Sequence, residues 1–266
     1  MVIDLHVHST YSDGCLSPGQ LVERAQQLGI RAIALTDHDT VAGIPELLAR
    51  GEQLGISVLP GVELSCEGYH ILGYGVDCNY GPLLRQLQEL ANARQQRAER
   101  IVARLASIGI ELELERIREL AGVGVIGRPH VAAALVEQGL AADVADAFSR
   151  YLSKGRPGYV PRYRLEPQQA IELIRSAGGI PVWAHPGKDF SRERLLQLKS
   201  WGLLGVEVWH PDHDREEMLW FADQAARADL LVTGGSDFHC PPPGSAELGS
   251  FPTPEWAWVA LNHKMT

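Results

Sequence analysis

The sequence predicts an α/β fold in which parallel strands curl into a barrel that is interrupted once by a block of helices. Seven strand-like segments mostly alternate with helical segments, which is typical of a parallel rather than an antiparallel sheet. Histidine and acidic residues recur where these strands end. The alternation stops over residues 81–165, which read as almost wholly helical. We therefore predict a first barrel part at 1–80, a helical insertion at 81–165 and a second barrel part at 166–266.

The first barrel part contains four predicted strands and two predicted helices. In the first strand, apolar residues alternate with Asp4, His6 and His8, so the two sets face opposite ways. The first helix begins at Ser17, an N-cap residue that is followed by proline at the first helical position. In chain order, a strand, a helix, a strand, a helix and two strands are predicted at 2–8, 17–28, 31–36, 44–54, 57–63 and 69–76.

The rest of the chain consists of the helical insertion and a return to alternation. Helices are predicted in the insertion at 83–108, 113–120, 129–138 and 141–151. After it, helices at 167–177, 193–201 and 216–228 alternate with strands at 180–184, 205–209 and 230–233. This second set of elements completes the predicted barrel.

The composition indicates a globular protein with no expected membrane segment. The first residues lack the features of a signal peptide, and no apolar run approaches the ~18 residues that suggest a membrane span. The 4 cysteines are scattered without a CxxC pair. We therefore expect reduced cysteines in a cytoplasmic protein, without a disulfide framework or a cysteine-type zinc site.

The net charge of −9 is distributed unevenly along the chain. Residues 81–165 hold 13 Arg and Lys against 9 Asp and Glu, a balance of +4, whereas the remainder holds 11 against 24, a balance of −13. A strongly acidic body argues against a large nucleic-acid interface. A mildly basic segment beside a carboxylate-rich site instead suits a small anionic substrate.

The residues at the strand ends predict a metal site, because the ends of parallel barrel strands converge on one mouth. His6 and His8 are two residues apart, so they point to the same side and can share one ion. A carboxylate such as Glu63 can bridge two ions, and mixed histidine and carboxylate ligands suit Zn, Mn or Fe. An isolated His-x-His pair, or Asp237 with His239 after glycines, is commonly structural. Their joint occurrence at separate strand ends favours a metal site.

Five short motifs resemble those of the PHP (polymerase and histidinol phosphatase) family, and the similarity spans nearly the whole chain. They are DLHVHSTYSDG at 4–14, TDHDT at 36–40, PGVE at 60–63, AHP at 184–186 and GSDFH at 235–239. The insertion, with GRPH at 127–130 and GYVP at 158–161, looks most like the branch of nucleoside 3′,5′-bisphosphate phosphatases and related 5′–3′ exoribonucleases.

The resemblance implies a distorted (β/α)7 TIM-like barrel, the PHP fold, that holds three divalent metal ions. It implies that the first ion is bound by His6, His8, Glu63 and Asp237. The second ion would be bound by Glu63, His70 and His185, and the third by Asp13, His38 and His239. The catalytic residues would then be Asp13, His38, Glu63, Asp237 and His239. Asp37 or Asp39 is a candidate to support a ligand histidine.

The implied chemistry is hydrolysis of a phosphoric ester. Metal ions would neutralise phosphate oxygens and lower the pKa of a bound water, so that a hydroxide bridging two ions attacks phosphorus directly. We predict removal of the 3′-phosphate from nucleoside 3′,5′-bisphosphates. The alternatives are a 5′–3′ exoribonuclease that acts on short RNA, a histidinol phosphatase, and a non-catalytic metal-binding module.

Further residues are candidates for contact with the substrate. They are Arg128, His130, Lys188, Glu207 and His213, with His210 as a further possibility. Arg128 and His130 lie at a predicted helix start, where the helix N-terminus and a guanidinium suit a phosphate. Lys188 follows a ligand motif, and Glu207 and His213 follow the sixth strand. A structural loop residue is the alternative for each. The sequence predicts neither the oligomeric state nor the general acid.

Overall fold

The computed structural model describes residues 1–122, 124, 126–240 and 246–265. The chain divides into two compact units. The first unit consists of Met1–Arg85 and Arg164–Thr266, and the second consists of Gln86–Tyr163. The second unit lies inside the segment 81–165 that was predicted to be an insertion.

Seven strands and ten helices are formed by the described residues. The strands are β1 (Val2–Val7), β2 (Ile30–Leu35), β3 (Ser57–Ser65), β4 (His70–Tyr74), β5 (Ile180–Trp183), β6 (Gly205–Trp209) and β7 (Leu231–Gly234). The helices are α1 (Pro18–Gln27), α2 (Ile44–Leu54), α3 (Gly81–Ala106), α4 (Leu114–Ala121), α5 (Arg128–Glu137), α6 (Val144–Ala147), α7 (Pro167–Ser176), α8 (Arg192–Ser200), α9 (Arg215–Arg227) and α10 (Glu255–Met265). A π-helical turn at Phe148–Leu152 and a 3₁₀ turn at Gly187–Asp189 complete the set.

The seven strands form one sheet in the order β1-β2-β3-β4-β5-β6-β7. All neighbours are parallel except β4, which runs antiparallel to both β3 and β5. The prediction of parallel strands is therefore wrong for β4. Only residues 66–69 connect β3 to β4, and a parallel pair needs a crossover of a dozen or more residues. The reversal places His70, the first residue of β4, opposite Ser65, the last residue of β3.

The two ends of the sheet approach each other just beyond β1 and β7. Val7 forms a parallel bridge with Phe238, and the His8 amide donates to the Phe238 carbonyl over 2.9 Å. Gly235 allows this approach, because a Cβ there would lie 2.3 Å from the Cβ of His6. The sheet is thus curled, and the segments that follow its first and last strands lie side by side.

The strands consist largely of residues whose side chains are buried, on both faces of the sheet. One cluster of buried apolar side chains includes Ile3 and Leu5 of β1, Leu72 and Tyr74 of β4, and Val182 of β5. The Tyr74 hydroxyl donates to the Leu5 carbonyl over 2.9 Å, which satisfies a polar group inside this cluster. The intervening polar residues of β1 are also buried, and they lie at the site described below.

The helical unit has a hydrophobic core of its own. Buried side chains of α3, α4 and α5 make up much of it, among them Ile101, Leu105, Ile117, Val131 and Leu135, and residues of α6 and of the π-helical turn also belong to it. None of the helices in the described part of the chain has both the length and the apolar character that a membrane span requires.

Two of the cysteines lie against each other. The sulfur atoms of Cys15 and Cys240 are in contact, with the Cα atoms of the two residues 5.4 Å apart. The Cys15 amide also donates to the carbonyl of His239 over 2.9 Å. The two residues are 225 apart in sequence and meet only where the two ends of the sheet approach each other, so the sequence did not reveal this contact; the reduced state stays a prediction. Cys66 and Cys78 form no disulfide within the described part of the chain.

Candidate metal centre

The structure brings the nine predicted ligands together at the mouth of the curled sheet. They are His6, His8, Asp13, His38, Glu63, His70, His185, Asp237 and His239. Glu63 lies at the centre and is fully buried, and its carboxylate is within 3.4 Å of five imidazole rings. Residues from five strands and their following loops thus surround one carboxylate.

One group of side chains gathers around Glu63 Oε2 and Asp237 Oδ1. His6 Nε2 lies 3.4 Å from Glu63 Oε2 and 3.2 Å from Asp237 Oδ1. His8 Nε2 lies 3.3 Å and 3.1 Å from the same two oxygens. Two nitrogens and two oxygens therefore face one another in the grouping that the resemblance assigned to the first ion.

A second group uses the other oxygen of Glu63. Glu63 Oε1 lies 2.7 Å from His70 Nδ1 and 3.0 Å from His185 Nε2, and these two nitrogens are 3.2 Å apart. The antiparallel course of β4 is what brings His70 to this position. The two oxygens of Glu63 thus face two different groups of histidines, as expected of a carboxylate that bridges two ions.

A third group is formed around Asp13. Asp13 Oδ1 lies 3.2 Å from His239 Nε2, and Asp13 Oδ2 lies 3.8 Å from His38 Nε2. The other ring nitrogen of His38 is 2.9 Å from Glu63 Oε2, so His38 lies between this group and the central carboxylate. His8 Nδ1 is 3.8 Å from Asp13 Oδ1 and closes the group on its buried side.

The donor atoms fit divalent metal ions. His8 Nε2 and His38 Nδ1 are buried and make no hydrogen bond of adequate geometry with any described residue. Burying such nitrogens is costly unless a partner satisfies them, and a cation is a suitable partner for a neutral imidazole. The mixed nitrogen and oxygen donors, without thiolates, suit Zn, Mn or Fe better than Ca or Mg.

The charges of the centre are strongly coupled. Burial raises the pKa of Glu63, but the surrounding histidines, His38 first, outweigh it and hold that pKa well below its usual range. Burial lowers the pKa of His8, but the nearby carboxylates of Asp237 and Glu63 outweigh it and raise that pKa to about 10. Without ions, a proton on a histidine such as His8 thus balances part of the negative charge of the carboxylates. Metal binding must then release protons.

Glu207 holds His6 and His185, two of the predicted ligands. It is fully buried, and its Oε1 accepts from His6 Nδ1 over 2.9 Å while its Oε2 accepts from the His185 amide over 2.8 Å. The bond to His6 places the hydrogen on Nδ1 and leaves Nε2 with a lone pair that faces the first group. The predicted substrate contact of Glu207 therefore has no support in the structure, because both oxygens are occupied.

His213 has a similar positioning role. It is buried, its Nδ1 donates to the Val208 carbonyl over 2.8 Å, and its Nε2 accepts from the Gly187 amide over 3.2 Å. Both ring nitrogens are used, which argues against the predicted substrate contact. These bonds fix the turn after His185, a ligand residue with a positive φ of 24°.

Two buried aspartates hold the loops that carry ligands. Asp4 accepts hydrogen bonds from the Ser236 amide and hydroxyl and from the Gly249 amide, at 2.9, 2.6 and 2.7 Å. Asp37 accepts from the Ser9 amide and hydroxyl at 2.7 and 2.6 Å, and from the Ser12 hydroxyl at 2.6 Å. Asp4 therefore fixes the segment before Asp237. Asp37 fixes the loop that leads to Asp13, rather than a ligand histidine.

His210 belongs to the centre, although it was not among the predicted ligands. It is buried, and its Nε2 lies 3.4 Å from Asp237 Oδ2. The Asp212 amide donates to its Nδ1 over 3.1 Å, so a neutral ring carries its hydrogen on Nε2 and acts there as a donor rather than a ligand. The signal was present in the sequence, because His210 directly follows β6 as other site residues follow their strands.

The three remaining predicted substrate contacts belong to two different units. Lys188 is exposed in the 3₁₀ turn that follows His185. Arg128 and His130 belong to the helical unit at the start of α5. The Arg128 guanidinium lies 5.2 Å from the ring centre of Phe148, and His130 Nδ1 accepts from the Gly127 amide over 3.0 Å as a helix cap.

Comparison with known proteins gives consistent results. Residues 4–153 match the model of the PHP domain. A 5′-3′ exoribonuclease of Haemophilus influenzae is 38% identical over 256 residues, which cover 92% of this chain and 92% of the relative. A 3′,5′-nucleoside bisphosphate phosphatase of Chromobacterium violaceum is 37% identical over 257 residues, which cover 93% and 90%. A solved structure described as a metal-dependent phosphoesterase of Bifidobacterium adolescentis has a TM-score of 0.90 at 32% identity, with 98% of this chain and 96% of that chain covered.

Proposed function

The chain belongs to the PHP family and is a metal-dependent hydrolase of phosphoric esters, and from this premise we propose that it removes the 3′-phosphate from nucleoside 3′,5′-bisphosphates. The observation that carries the proposal is the arrangement around Glu63. Its two carboxylate oxygens face two separate groups of histidines at 2.7–3.4 Å. Adjacent metal ions that share a carboxylate are typical of centres that hydrolyse phosphoric esters.

Three divalent ions, of Mn, Zn or Fe, complete the proposed centre. His6, His8, Glu63 and Asp237 would hold the first, Glu63, His70 and His185 the second, and Asp13, His38 and His239 the third. When bound, such ions neutralise charge on the phosphate and make a coordinated water acidic enough to attack phosphorus near neutral pH.

Buried side chains around the proposed centre orient these groups. Glu207 sets the tautomer of His6, and Asp4 and Asp37 fix the loops that carry Asp237 and Asp13. The Nε2 hydrogen of His210 lies beside Asp237 and is available to a phosphate oxygen or to the leaving oxygen. Arg128, His130 and Lys188 remain proposed contacts of the substrate.

Exonucleolytic release of 5′-nucleotides from short RNA is the second candidate. It is favoured by the exoribonuclease of Haemophilus influenzae at 38% identity. Release of a 5′-nucleotide breaks the bond between phosphorus and the 3′ oxygen, which is also the bond broken when a 3′-phosphate is removed. One site therefore suits both reactions, with a water as the attacking group in each.

A screen of product release tests the proposal. The Mn- or Zn-loaded protein is incubated with adenosine 3′,5′-bisphosphate, a 5′-phosphorylated oligoribonucleotide and histidinol phosphate, with a chelated sample as control. We expect phosphate release from the bisphosphate and nucleotide release from the short RNA. Hydrolysis of histidinol phosphate alone would replace the proposal by a histidinol phosphatase, and no turnover with any substrate would favour a non-catalytic metal-binding module.

A further inference from the structure

A cavity of about 160 Å³ opens beside the second group of histidines. His70 and His185 line it at one side, and Tyr69, Arg164 and Trp183 line it further away. All of these residues belong to the first unit. The cavity therefore adjoins the proposed centre. Apart from His70 and His185, none of its lining residues is one of the nine predicted ligands.

Arg164 is the cationic side chain of this cavity. It is half-buried and makes no ion pair with any residue that the structure describes. The backbone next to Arg164 is held in place. Leu165 forms a parallel β-bridge with Cys66, and the Leu165 carbonyl accepts from the Glu67 amide over 3.0 Å. A guanidinium held without a carboxylate partner beside a metal centre is suited to an anionic oxygen of a ligand.

The aromatic residues form a wall rather than a slot for a base. The Trp183 ring is buried and stacks on Phe190 at 5.3 Å, with an angle of 7° between the planes. Tyr69 lies 5.6 Å from Trp183 with its ring tilted by 58°. Rings at this separation are already in contact, so no base fits between them. The wall instead suits the apolar face of a sugar, with the anion at Arg164.

Asp189, the one carboxylate among the described residues that line this cavity, does not oppose an anion strongly. Its side chain is 75% exposed and lies 3.3 Å from the guanidinium of Arg194. Water and Arg194 therefore screen its charge.

Building on the proposed function, we infer that this cavity binds the second phosphate of the substrate, the 5′-phosphate, through Arg164. In a nucleoside 3′,5′-bisphosphate the two phosphates are attached to one ribose, through O3′ and O5′. A 3′-phosphate at the centre therefore keeps the 5′-phosphate within one sugar's length of it, and the cavity lies directly beside the centre. The 5′-phosphate of a short RNA would occupy the same place. Arg164 thus selects substrates that carry a 5′-phosphate over those that lack one.

The test compares two substrates and two variants of the metal-loaded protein. Adenosine 3′,5′-bisphosphate and adenosine 3′-monophosphate differ only in the 5′-phosphate. Arg164→Gln removes the guanidinium, and Arg31→Gln removes an equally charged, exposed side chain from the start of β2, away from the centre. Calorimetry of the binding of adenosine 5′-monophosphate gives a second measurement, the affinity for the 5′-phosphate, which does not need turnover.

We expect Arg164→Gln to lower kcat/KM for the bisphosphate about 10- to 100-fold, chiefly through KM, as the loss of one charge-assisted hydrogen-bonding group would do. Its kcat/KM for the 3′-monophosphate should stay within about twofold, and its affinity for adenosine 5′-monophosphate should fall like that for the bisphosphate. Arg31→Gln should match the unaltered protein throughout.

An equal effect of Arg164→Gln on both nucleotides, or no effect on either, would overturn the inference. If the unaltered protein hydrolyses neither nucleotide, the proposed function fails, and the calorimetric comparison still decides about the cavity. Equal affinity of the unaltered protein and Arg164→Gln for adenosine 5′-monophosphate would then exclude Arg164 as its ligand.

Discussion

Replacing Glu207 by glutamine should weaken metal binding without unfolding the chain. Glu207 accepts from His6 Nδ1 at 2.9 Å and from the His185 amide at 2.8 Å, so it positions one ligand in each of two groups. A glutamine of the same shape keeps one accepting oxygen. Its amide nitrogen must face one of these two donors, and that hydrogen bond is lost.

The expected loss of metal affinity follows from the lost hydrogen bond. A hydrogen bond to a charged group contributes about 1.5–3 kcal/mol, and a buried donor without a partner costs a similar amount. Every 1.4 kcal/mol corresponds to a factor of about ten, so we expect the metal affinity to fall roughly 10- to 100-fold. Losses of this size are typical when the partner of a metal-binding histidine is removed.

Chelator competition with Mn and phosphate release as a function of Mn concentration measure the effect. The concentration for half-maximal turnover should rise by the same factor as the dissociation constant, and excess Mn should restore most of the turnover. Glu216→Gln, an exposed carboxylate on α9, is the matched control. Equal metal affinity in Glu207→Gln and Glu216→Gln would refute the positioning role.

Three further predictions concern other parts of the centre. Asp13→Ala and His239→Ala should each lower turnover by about 10²- to 10³-fold and remove one bound ion per chain while circular dichroism stays unchanged; full turnover would exclude the third ion. The raised pKa of His8, about 10 against 6.5, stabilises the metal-free fold below pH 6.5 and loses this effect as the pH rises through about 10. Because Mn competes with that proton, the rise in Tm on adding Mn should be larger at pH 8.5 than at pH 6, and a smaller rise would contradict the charge coupling. Asp4→Ala leaves the buried donors of Ser236 without their acceptor, so the free energy of unfolding in urea should fall by about 2–4 kcal/mol; a change under 0.5 kcal/mol would show that the loop finds other acceptors.

Much of the fold was predictable from local patterns. The alternation of strands and helices predicted the α/β class, because the apolar residues of each element recur with the period of that element. The break in alternation after residue 80 indicated the helical segment in the same way. The direction of β4 was not predictable from periodicity, since a strand has the same pattern in either direction, and only the short connection 66–69 hinted at it.

The roles of individual polar residues were harder to predict than their presence. Glu207 and His213 follow the sixth strand as a substrate contact would, and the sequence does not reveal that buried partners occupy all their polar atoms. His210 carries the same strand-end signal as the ligands, yet a backbone amide at its Nδ1 makes it a donor. The contact between Cys15 and Cys240 depends on the approach of the two ends of the sheet.

The sequence by itself determined which donor atoms are available and that they gather at one mouth. The residue types fix which atoms can bind a metal. The side chains converge because the ends of neighbouring strands in a curled sheet lie close together. Only the tertiary structure decided which atoms meet, such as His6 with Glu207 across 201 residues of sequence, or the two oxygens of Glu63 with two sets of histidines. Hydrogen bonds act over about 3 Å, so their partners follow from the packing of distant segments and leave no trace in local periodicity.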